Sequence, residues 1–287
     1  MIRITPLKQG FVADVSGVDL RQLSAPEFDA LYGAWLEFGV LRLRGQPLSQ
    51  DELQAFSQHF GRLEEMPLGR MPEAQRRRIA NRYVTVLSNI LVDGRPIGGL
   101  GNAEASWHSD MTYVERPPPA SVLLGVEIPP AGGDTWFADQ QAAYAALPEP
   151  LRARVAGLSL KHDAAHTSIG SLRPGFESFD DPRDAPGAVH PIVRIHDETG
   201  RPCLYLGRRE WAYVPGLTLA ESEALLDELW QYAVLPQHVW RQQWRPGDLV
   251  VWDNRRVLHR RDEFDADHRR LMWRCQVLSR DAEAQPG

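Results

Sequence analysis

The spacing of apolar and polar residues predicts a few helices set among many strands. Three stretches place Ser or Thr three residues before Glu and precede an apolar helical period, which is the capping-box pattern of a helix start: Ser24–Glu27, Ser49–Glu52 and Thr218–Glu221. The first two helices are expected to end at Gly39 and Gly61, since glycine is favoured just beyond a helix C-terminus. Asp139 is a fourth helix start.

Alternating or β-branched runs predict strands, and these dominate the second half of the chain. The predicted strands include Val40–Arg44, Tyr83–Leu91, Ser121–Glu127, Thr135–Phe137, Pro191–His196, Cys203–Gly207, Val239–Trp244, Leu249–Asp253 and Leu271–Leu278. They do not alternate with helices as β-α-β units, which disfavours a doubly wound parallel sheet. We therefore expect a mainly β fold, an antiparallel barrel or jelly roll, with flanking helices.

Two stretches lack a clear apolar period. Residues 163–188 are rich in Gly, Pro, Ser and Asp, and residues 92–106 include four glycines. Loops of this length inside a compact domain are often lids over a site, although either stretch could be an ordinary long loop. We expect one domain over residues 1–287, with a lid insertion at 163–188 and residues 92–106 as the second lid candidate.

The composition of the chain limits the classes of function that it can have. The 287 residues carry a formal net charge of −6, which gives no sign of a nucleic-acid partner. Two cysteines do not form a disulfide framework, and no run of about 18 apolar residues suggests a membrane span. The N-terminus does not resemble a signal peptide, so we expect a cytoplasmic protein without a membrane or nucleic-acid partner.

The candidate chemistry centres on Trp107-His-Ser-Asp110. On an extended strand, His108 and Asp110 fall on one face because side chains alternate with a period of two. A later histidine could add a third ligand, and His259 after the predicted strand at 252–258 suits that role. Two histidines and one carboxylate, with open positions left over, are typical of non-haem Fe(II) oxygenases. His162 and His166 have i, i+4 spacing but no third ligand nearby.

The last predicted strand adds a second signal. Arg270, Met272 and Arg274 share one face, which in a barrel is the interior. Buried arginines call for an anion, either a bound carboxylate or a buried Asp or Glu. A basic run near the end of the chain is instead expected in exposed turns: Arg255, Arg256, Arg260 and Arg261.

These motifs, in this order, resemble the taurine/2,4-D dioxygenase family of Fe(II)- and 2-oxoglutarate-dependent oxygenases. The resemblance rests on Trp107–Asp110, on Gly132-Gly-Asp-Thr135, on Trp252-Asp-Asn-Arg255 with His259, and on Arg270, eleven residues after that histidine. The opening stretches Ile4–Leu7 and Ser16–Leu20 are also similar to the family, so the resemblance covers nearly the whole chain.

The resemblance implies a double-stranded β-helix and assigns the site residues. Iron would be held by His108, Asp110 and His259, and the distal carboxylate of 2-oxoglutarate by Thr135 and Arg270. Arg274 matches a family arginine near the cosubstrate and the substrate's anionic group. Related halogenases have a small residue in place of Asp110, so a carboxylate there favours hydroxylation, with O2 consumed and succinate and CO2 released.

The substrate is expected to be a small organic anion. Taurine itself is in doubt because Glu104 stands roughly where taurine-using members have an asparagine. Further candidates for the pocket wall are Tyr83, Asn89, Ser88, Arg208 and Trp211. Desaturation at the same iron site and an inactive binding protein stay open as alternatives, whereas a zinc hydrolase would not require the inward arginines. Family members are often dimers or tetramers, so a homodimer or homotetramer is expected.

Overall fold

The computed structural model describes residues 1–8, 10–66, 73–77 and 79–278. Its helices are α1 Ala25–Phe38, α2 Gln50–Gln58, α3 Glu73–Arg76, α4 Gln140–Ala146, α5 Glu149–Val155 and α6 Leu219–Ala233. Its strands in the first half are β1 Arg3–Lys8, β2 Val12–Ser16, β3 Val40–Leu43, β4 Thr85–Ser88, β5 Leu91–Val92, β6 Arg95–Pro96, β7 Gly99–Leu100, β8 Ala105–His108, β9 Ala120–Glu127 and β10 Thr135–Asp139. The later strands are β11 Ser159–Lys161, β12 Val189–Pro191, β13 Val193–Ile195, β14 Pro202–Leu204, β15 Val239–Gln242, β16 Leu249–Asp253, β17 Val257–Arg261 and β18 Leu271–Val277.

All three predicted capping boxes are present. Ser24, Ser49 and Thr218 each cap a helix, and the Glu three residues later reaches back to the backbone N–H of the cap. Asp139 caps α4 by accepting from the N–H of Gln141. These helix starts depend on contacts within four residues, which explains why the sequence pattern located them.

The larger sheet has eight strands in the order β1-β2-β3-β16-β9-β18-β4-β7. Its pairs are antiparallel except for β2 with β3 and β4 with β7. Alternate residues of its central strands face a core that includes side chains from α1 and α2, such as Leu31 and Leu53. The fold is therefore mainly β, with helices packed on the sheet, as the sequence pattern predicts.

The smaller sheet has four strands in the order β15-β10-β17-β8. One apolar cluster joins it to the larger sheet, because Phe137 and Val257 from the smaller sheet meet Leu123 and Met272 from the larger one. On its other side, Leu258 and the neighbouring strand residues pack in a cluster with α4, α5 and α6. The ends of β8 and β17 thus lie next to the interior between the two sheets.

The last strand follows the predicted alternation. Met272 lies in the cluster between the sheets, whereas Cys275 and Val277 belong to the core that the helices cover. Arg270 and Arg274 fall on the Met272 side and line the interior cavity described below. The predicted inward position of the two arginines is confirmed.

Two local predictions were wrong. Residues 92–106 are not a plain loop, since β6, β7 and the start of β8 lie within them. The basic run is not exposed either: Arg255, Arg256 and Arg261 are 5%, 1% and 7% exposed. Arg255 and Arg256 bind the buried carboxylates of Asp253 and Asp139. Arg261 donates to the backbone carbonyl oxygens of residues 100, 101 and 103, and a sequence window cannot show any of these contacts. Within the part of the chain that is described, no helix has both the length and the apolar character of a membrane span.

Candidate active site

Strand pairing brings the three predicted metal ligands together. His108 ends β8, and it lies directly opposite His259 of β17 in the antiparallel register. Opposed residues of an antiparallel pair share a face of the sheet, so the two imidazole ring centres lie 4.2 Å apart. Asp110 follows β8 by two residues and completes the group. One potential ligand atom from each of the three residues lies within 4.8 Å of the others.

The ring nitrogens face the carboxylate. Nε2 of His108 and Nε2 of His259 are each 3.9 Å from Oδ1 of Asp110. Nδ1 of His108 lies 2.7 Å from the carbonyl oxygen of Ser106, so the Nδ1 proton is held there and Nε2 keeps a free lone pair. The His259 ring packs against the Trp252 ring, with centres 4.9 Å apart.

Burial keeps both imidazoles neutral. It lowers the pKa of His108, and it lowers the pKa of His259 to about 3, with His108 adding to the effect. Burial alone would raise the pKa of the Asp110 carboxyl, but the Arg274 guanidinium, helped by the Ser121 hydrogen bond, holds that pKa well below its ordinary value. Two neutral nitrogens and one ionised oxygen are the donor set of a divalent iron site.

A chain of hydrogen bonds holds Asp110 in place. Ser121 of β9 donates its hydroxyl to Oδ2 of Asp110 over 2.7 Å. Nδ2 of Asn254 donates to that hydroxyl over 2.9 Å, and the Trp252 indole donates to Oδ1 of Asn254 over 2.7 Å. The Trp252-Asp-Asn motif therefore orients the carboxylate. Sequence reasoning missed Ser121, which no local pattern marks.

Three arginines, Arg261, Arg270 and Arg274, line a small cavity beside the two histidines, together with Thr135. Arg270 donates through Nη2 to the carbonyl oxygen of Gly133 over 3.2 Å, and Arg261 donates to the carbonyl oxygens of residues 100, 101 and 103. Among the described residues, neither Arg261 nor Arg270 has a carboxylate partner. Burial lowers the pKa of Arg261 to about 10 and, reinforced by Arg261, that of Arg270 to about 9.

This cavity fits an anionic cosubstrate. Nε of Arg261 and Nε of Arg270 are buried without a hydrogen-bond partner in the described part of the chain. A buried donor without a hydrogen-bond partner destabilises the folded protein unless a ligand or a water molecule accepts its hydrogen bond. A guanidinium group forms strong hydrogen bonds with a carboxylate. Thr135 contributes a hydroxyl that accepts from the Trp244 indole over 3.0 Å. A carboxylate of 2-oxoglutarate would pair with the unpaired positive charge of these guanidinium groups.

A larger cavity of about 510 Å³ opens on the other side of the triad. His108 and Asp110 lie in its wall, and Arg274 lines both cavities. Nη1 of Arg274 donates to Oδ1 of Asp110 over 3.1 Å. This cavity is where a substrate could approach the candidate ligands.

The wall of the larger cavity includes two of the predicted pocket residues, Tyr83 and Arg208. The Tyr83 hydroxyl donates to Glu65 over 3.1 Å, and Arg208 donates to Asp163 and to two backbone carbonyls. Arg173, Tyr113 and Glu64 also line this wall but carry no motif signal, so the sequence analysis did not select them.

Asn89 and Ser88 lie under Arg270 rather than in the cavity wall. Oδ1 of Asn89 accepts from the backbone N–H of Arg270 over 3.0 Å, and its Nδ2 donates to the carbonyl oxygens of residues 266 and 268. The Ser88 hydroxyl donates to the Arg270 carbonyl oxygen over 2.8 Å. Asn89 is thus a positioning residue in this geometry, which corrects its expected place against the substrate.

Glu104 and Trp211 line a neighbouring groove of about 700 Å³. Glu104 accepts from Nη1 of Arg260 over 3.0 Å, and its side chain is 60% exposed. The groove is larger than the cavity beside the triad, but it contains none of the three candidate ligands. Proximity to these ligands decides the assignment, so Glu104 does not line the candidate substrate cavity.

The His162 and His166 pair does not form a metal site. His166 pairs with Asp163, with Nδ1 3.0 Å from Oδ2, and stacks on the Trp211 ring. His162 is buried, and burial lowers its pKa to about 3. Among the described residues, His108, Asp110 and His259 form the cluster that could hold a metal ion.

Comparisons with known proteins agree with this geometry. The family model described as taurine catabolism dioxygenase TauD, TfdA family, matches residues 3–276. The alpha-ketoglutarate-dependent 2,4-dichlorophenoxyacetate dioxygenase of Cupriavidus pinatubonensis is 37% identical over 283 residues, covering 95% of this chain and 96% of that protein. The (S)-phenoxypropionate/alpha-ketoglutarate-dioxygenase of Sphingobium herbicidovorans is 35% identical over 281 residues, covering 96% and 94%.

A solved structure shows the same likeness. The crystal structure of AAD-2 in complex with Mn(II) and N-oxalylglycine superposes with a TM-score of 0.78 at 30% sequence identity, and 97% of each chain is covered. The family match and the relatives extend over nearly the entire chain, including all three candidate ligands. The chain belongs to the TauD/TfdA family of dioxygenases.

Proposed function

We propose that this dioxygenase holds Fe(II) through His108, Asp110 and His259 and oxidises a small organic anion in the cavity of about 510 Å³. The enzyme is a 2-oxoglutarate-dependent oxidoreductase, as its relatives are. With 2-oxoglutarate and O2, the iron supplies the oxidising power that hydroxylates a substrate C–H bond while 2-oxoglutarate becomes succinate and CO2.

One observation carries the proposal: the three candidate ligands stand between a cavity with unpaired buried arginines and a larger cavity with room for a substrate. Arg270, with Thr135, binds the distal carboxylate of 2-oxoglutarate in the smaller cavity. Arg274 lines both cavities and contacts Asp110, so it bridges the cosubstrate and substrate positions. Two phenoxyalkanoate dioxygenases among the relatives support a carboxylate-bearing substrate.

The chain's own residues contribute positioning and shielding. Ser106 and Ser121 fix the two ligands of the His108–Asp110 stretch, and burial keeps His108 neutral. Residues 163–188 contribute Asp163, Thr167, Ser168 and Arg173 to the wall of the larger cavity. We assign this segment as the lid of a single domain, because a closed cavity protects a reactive site from water.

The proposal also includes the specific type of β fold. Two facing sheets of eight and four strands, with helices on their outer sides, support a double-stranded β-helix in which the triad lies between the sheets. We expect the enzyme to work as a homodimer or homotetramer in the cytoplasm. Light scattering on the purified protein tests the oligomeric part.

Succinate formation tests the proposal. Purified protein is incubated with Fe(II), 2-oxoglutarate, O2 and a panel of aryloxyalkanoates, sulfonates and sulfate esters. Succinate is expected from the wild type and from His268→Ala, which removes an exposed histidine, but not from His259→Ala. Anaerobic titrations with Fe(II) report metal binding separately. A wild-type protein that binds neither Fe(II) nor 2-oxoglutarate and releases no succinate would refute the proposal.

A further inference from the structure

Three arginines line the larger cavity: Arg173, Arg208 and Arg274. A guanidinium in a cavity wall that no carboxylate of the protein pairs with is available to bind an anionic ligand. Comparing their partners separates the two arginines that pair with a carboxylate of the protein from the one that does not.

Two of the three have carboxylate partners. Arg208 donates through Nη2 to Asp163 and through Nη1 to the carbonyl oxygens of His166 and Thr167. Arg274 donates through Nη1 to Asp110 over 3.1 Å. These two guanidinium groups are bound to charges that belong to the fold or to the candidate metal site.

Arg173 is held without a counter-charge. Its Nε donates to the carbonyl oxygen of His166 over 3.2 Å, and its backbone N–H donates to the carbonyl oxygen of Ala165 over 2.7 Å. The guanidinium carbon lies 4.4 Å from the centre of the Tyr113 ring. Among the described residues, no carboxylate pairs with Arg173, and its two Nη nitrogens have no hydrogen-bond partner.

Tyr113 does not act as the missing anion. Burial raises the pKa of its phenol, although Arg173 pulls in the opposite direction, so the ring stays neutral. The ring face offers a cation–π contact that orients a guanidinium but does not neutralise it. The nearby acids do not pair with Arg173: Asp163 binds Arg208, and Glu65 accepts from Tyr83 and Arg82. Glu64 lies in the same wall, but it forms no ion pair with Arg173, and burial raises the pKa of its carboxyl, which favours the neutral form.

We propose that Arg173 binds the anionic group of the substrate, a carboxylate or sulfonate, through its two free Nη nitrogens. The inference rests on the proposed function and specifies where in the cavity the charged group binds. The Nε contact and the Tyr113 ring fix the plane of the guanidinium in advance, which suits bidentate recognition of a planar carboxylate or of two sulfonate oxygens. Because Arg173 lies within residues 163–188, substrate charge would also hold this segment against the cavity.

The test compares each anion with its neutral counterpart. The probes are (2,4-dichlorophenoxy)acetate with its primary amide, and 2-phenoxyethanesulfonate with its sulfonamide. Each is titrated anaerobically by calorimetry into protein loaded with Fe(II) and 2-oxoglutarate. The wild type should bind at least one anion more tightly than its neutral counterpart, by about 10- to 100-fold, as expected for hydrogen bonds to a charged group.

Arg173→Gln should remove most of this preference by weakening the anion and sparing the neutral probe. Arg173→Lys should keep part of it, because lysine retains charge but lacks the planar fork. The matched control is Arg183→Gln, which removes an exposed arginine of the same segment that is paired with Asp181. This control should keep the full preference.

Three outcomes would overturn the assignment: a wild type that prefers neither anion, an Arg173→Gln protein that keeps the preference, or equal weakening of anion and neutral probe. Equal weakening would indicate that Arg173 merely supports the fold of its segment. Succinate release is then measured on the same protein preparations after O2 is admitted. If the wild type binds neither Fe(II) nor 2-oxoglutarate and releases no succinate, the proposed function fails; if it binds both and one of the three outcomes occurs, the Arg173 assignment alone fails.

Discussion

Ser121 donates its hydroxyl to Oδ2 of Asp110 over 2.7 Å, and this bond joins the two sheets. Ser121 lies on β9 of the larger sheet, whereas Asp110 lies two residues after β8 of the smaller one. Oδ1 of the same carboxylate faces the two histidine Nε2 atoms. The bond therefore leaves Oδ1 directed toward the candidate metal position.

Ser121→Ala is expected to weaken Fe(II) binding about tenfold while the protein stays folded, as is usual when a hydrogen bond behind a ligand is lost. Anaerobic Fe(II) titration measures the effect, and Ser16→Ala on the exposed side of β2 is the control. Equal Fe(II) affinity in the two variants would show that Ser121 does not orient Asp110.

Arg270→Ala should weaken 2-oxoglutarate binding by about tenfold or more and leave Fe(II) binding unchanged, because it removes a charged hydrogen-bond donor. Arg269→Ala is the matched control, since the neighbouring Arg269 is exposed and pairs with Glu127. Calorimetric titration of the Fe(II)-loaded variants with 2-oxoglutarate distinguishes them. A similar affinity in both variants would remove Arg270 from the cosubstrate site.

A buried ion network next to the site should dominate stability. Asp253 is fully buried, pairs with His196 over 2.8 Å and binds Arg255 through both of its oxygens. Asp253→Ala removes the buried carboxylate that both partners bind and should lower the free energy of unfolding by about 3–5 kcal/mol. Urea denaturation measures the loss.

Asp197→Ala is the control for this network. Asp197 also pairs with Arg255, over 3.0 Å, but its side chain is 61% exposed. Solvent screens such a pair, so the variant should lose less than about 1 kcal/mol. Comparable losses in both variants would contradict the dominance of the buried pair.

Glu64 should make stability depend on pH. Burial raises the pKa of its carboxyl; Arg274 opposes the shift and Asp110 adds to it. The folded protein thus binds the Glu64 proton more tightly than the unfolded chain does, and this contribution to stability is lost as pH rises through the raised pKa. As pH rises through this raised pKa, Glu64→Gln should therefore become more stable relative to the wild type.

Urea unfolding at a series of pH values tests this expectation. The difference in unfolding free energy between Glu64→Gln and the wild type should widen from acid pH and then become constant. Glu65→Gln is the control, because its carboxylate is half exposed and paired with Arg82. A difference that does not change with pH for Glu64→Gln would contradict the shift.

Features that depend on near neighbours along the chain could be predicted from the amino-acid pattern. Ser24, Ser49 and Thr218 begin helices because each cap is satisfied within three residues. The inward face of Arg270 and Arg274 follows from the period of two along an extended strand. The order of the motifs was likewise enough to place the chain in its family and to select the three candidate ligands.

The tertiary structure decided what depends on register and on distant partners. His259 reaches His108 through the pairing of β17 with β8, and Ser121 reaches Asp110 from the other sheet. Glu104 and Asn89 lie near the ligands in sequence or in the sheet, yet their side chains bind Arg260 and backbone groups instead. Side-chain direction and charge pairing across strands are set by contacts far apart in sequence, which a local pattern does not contain.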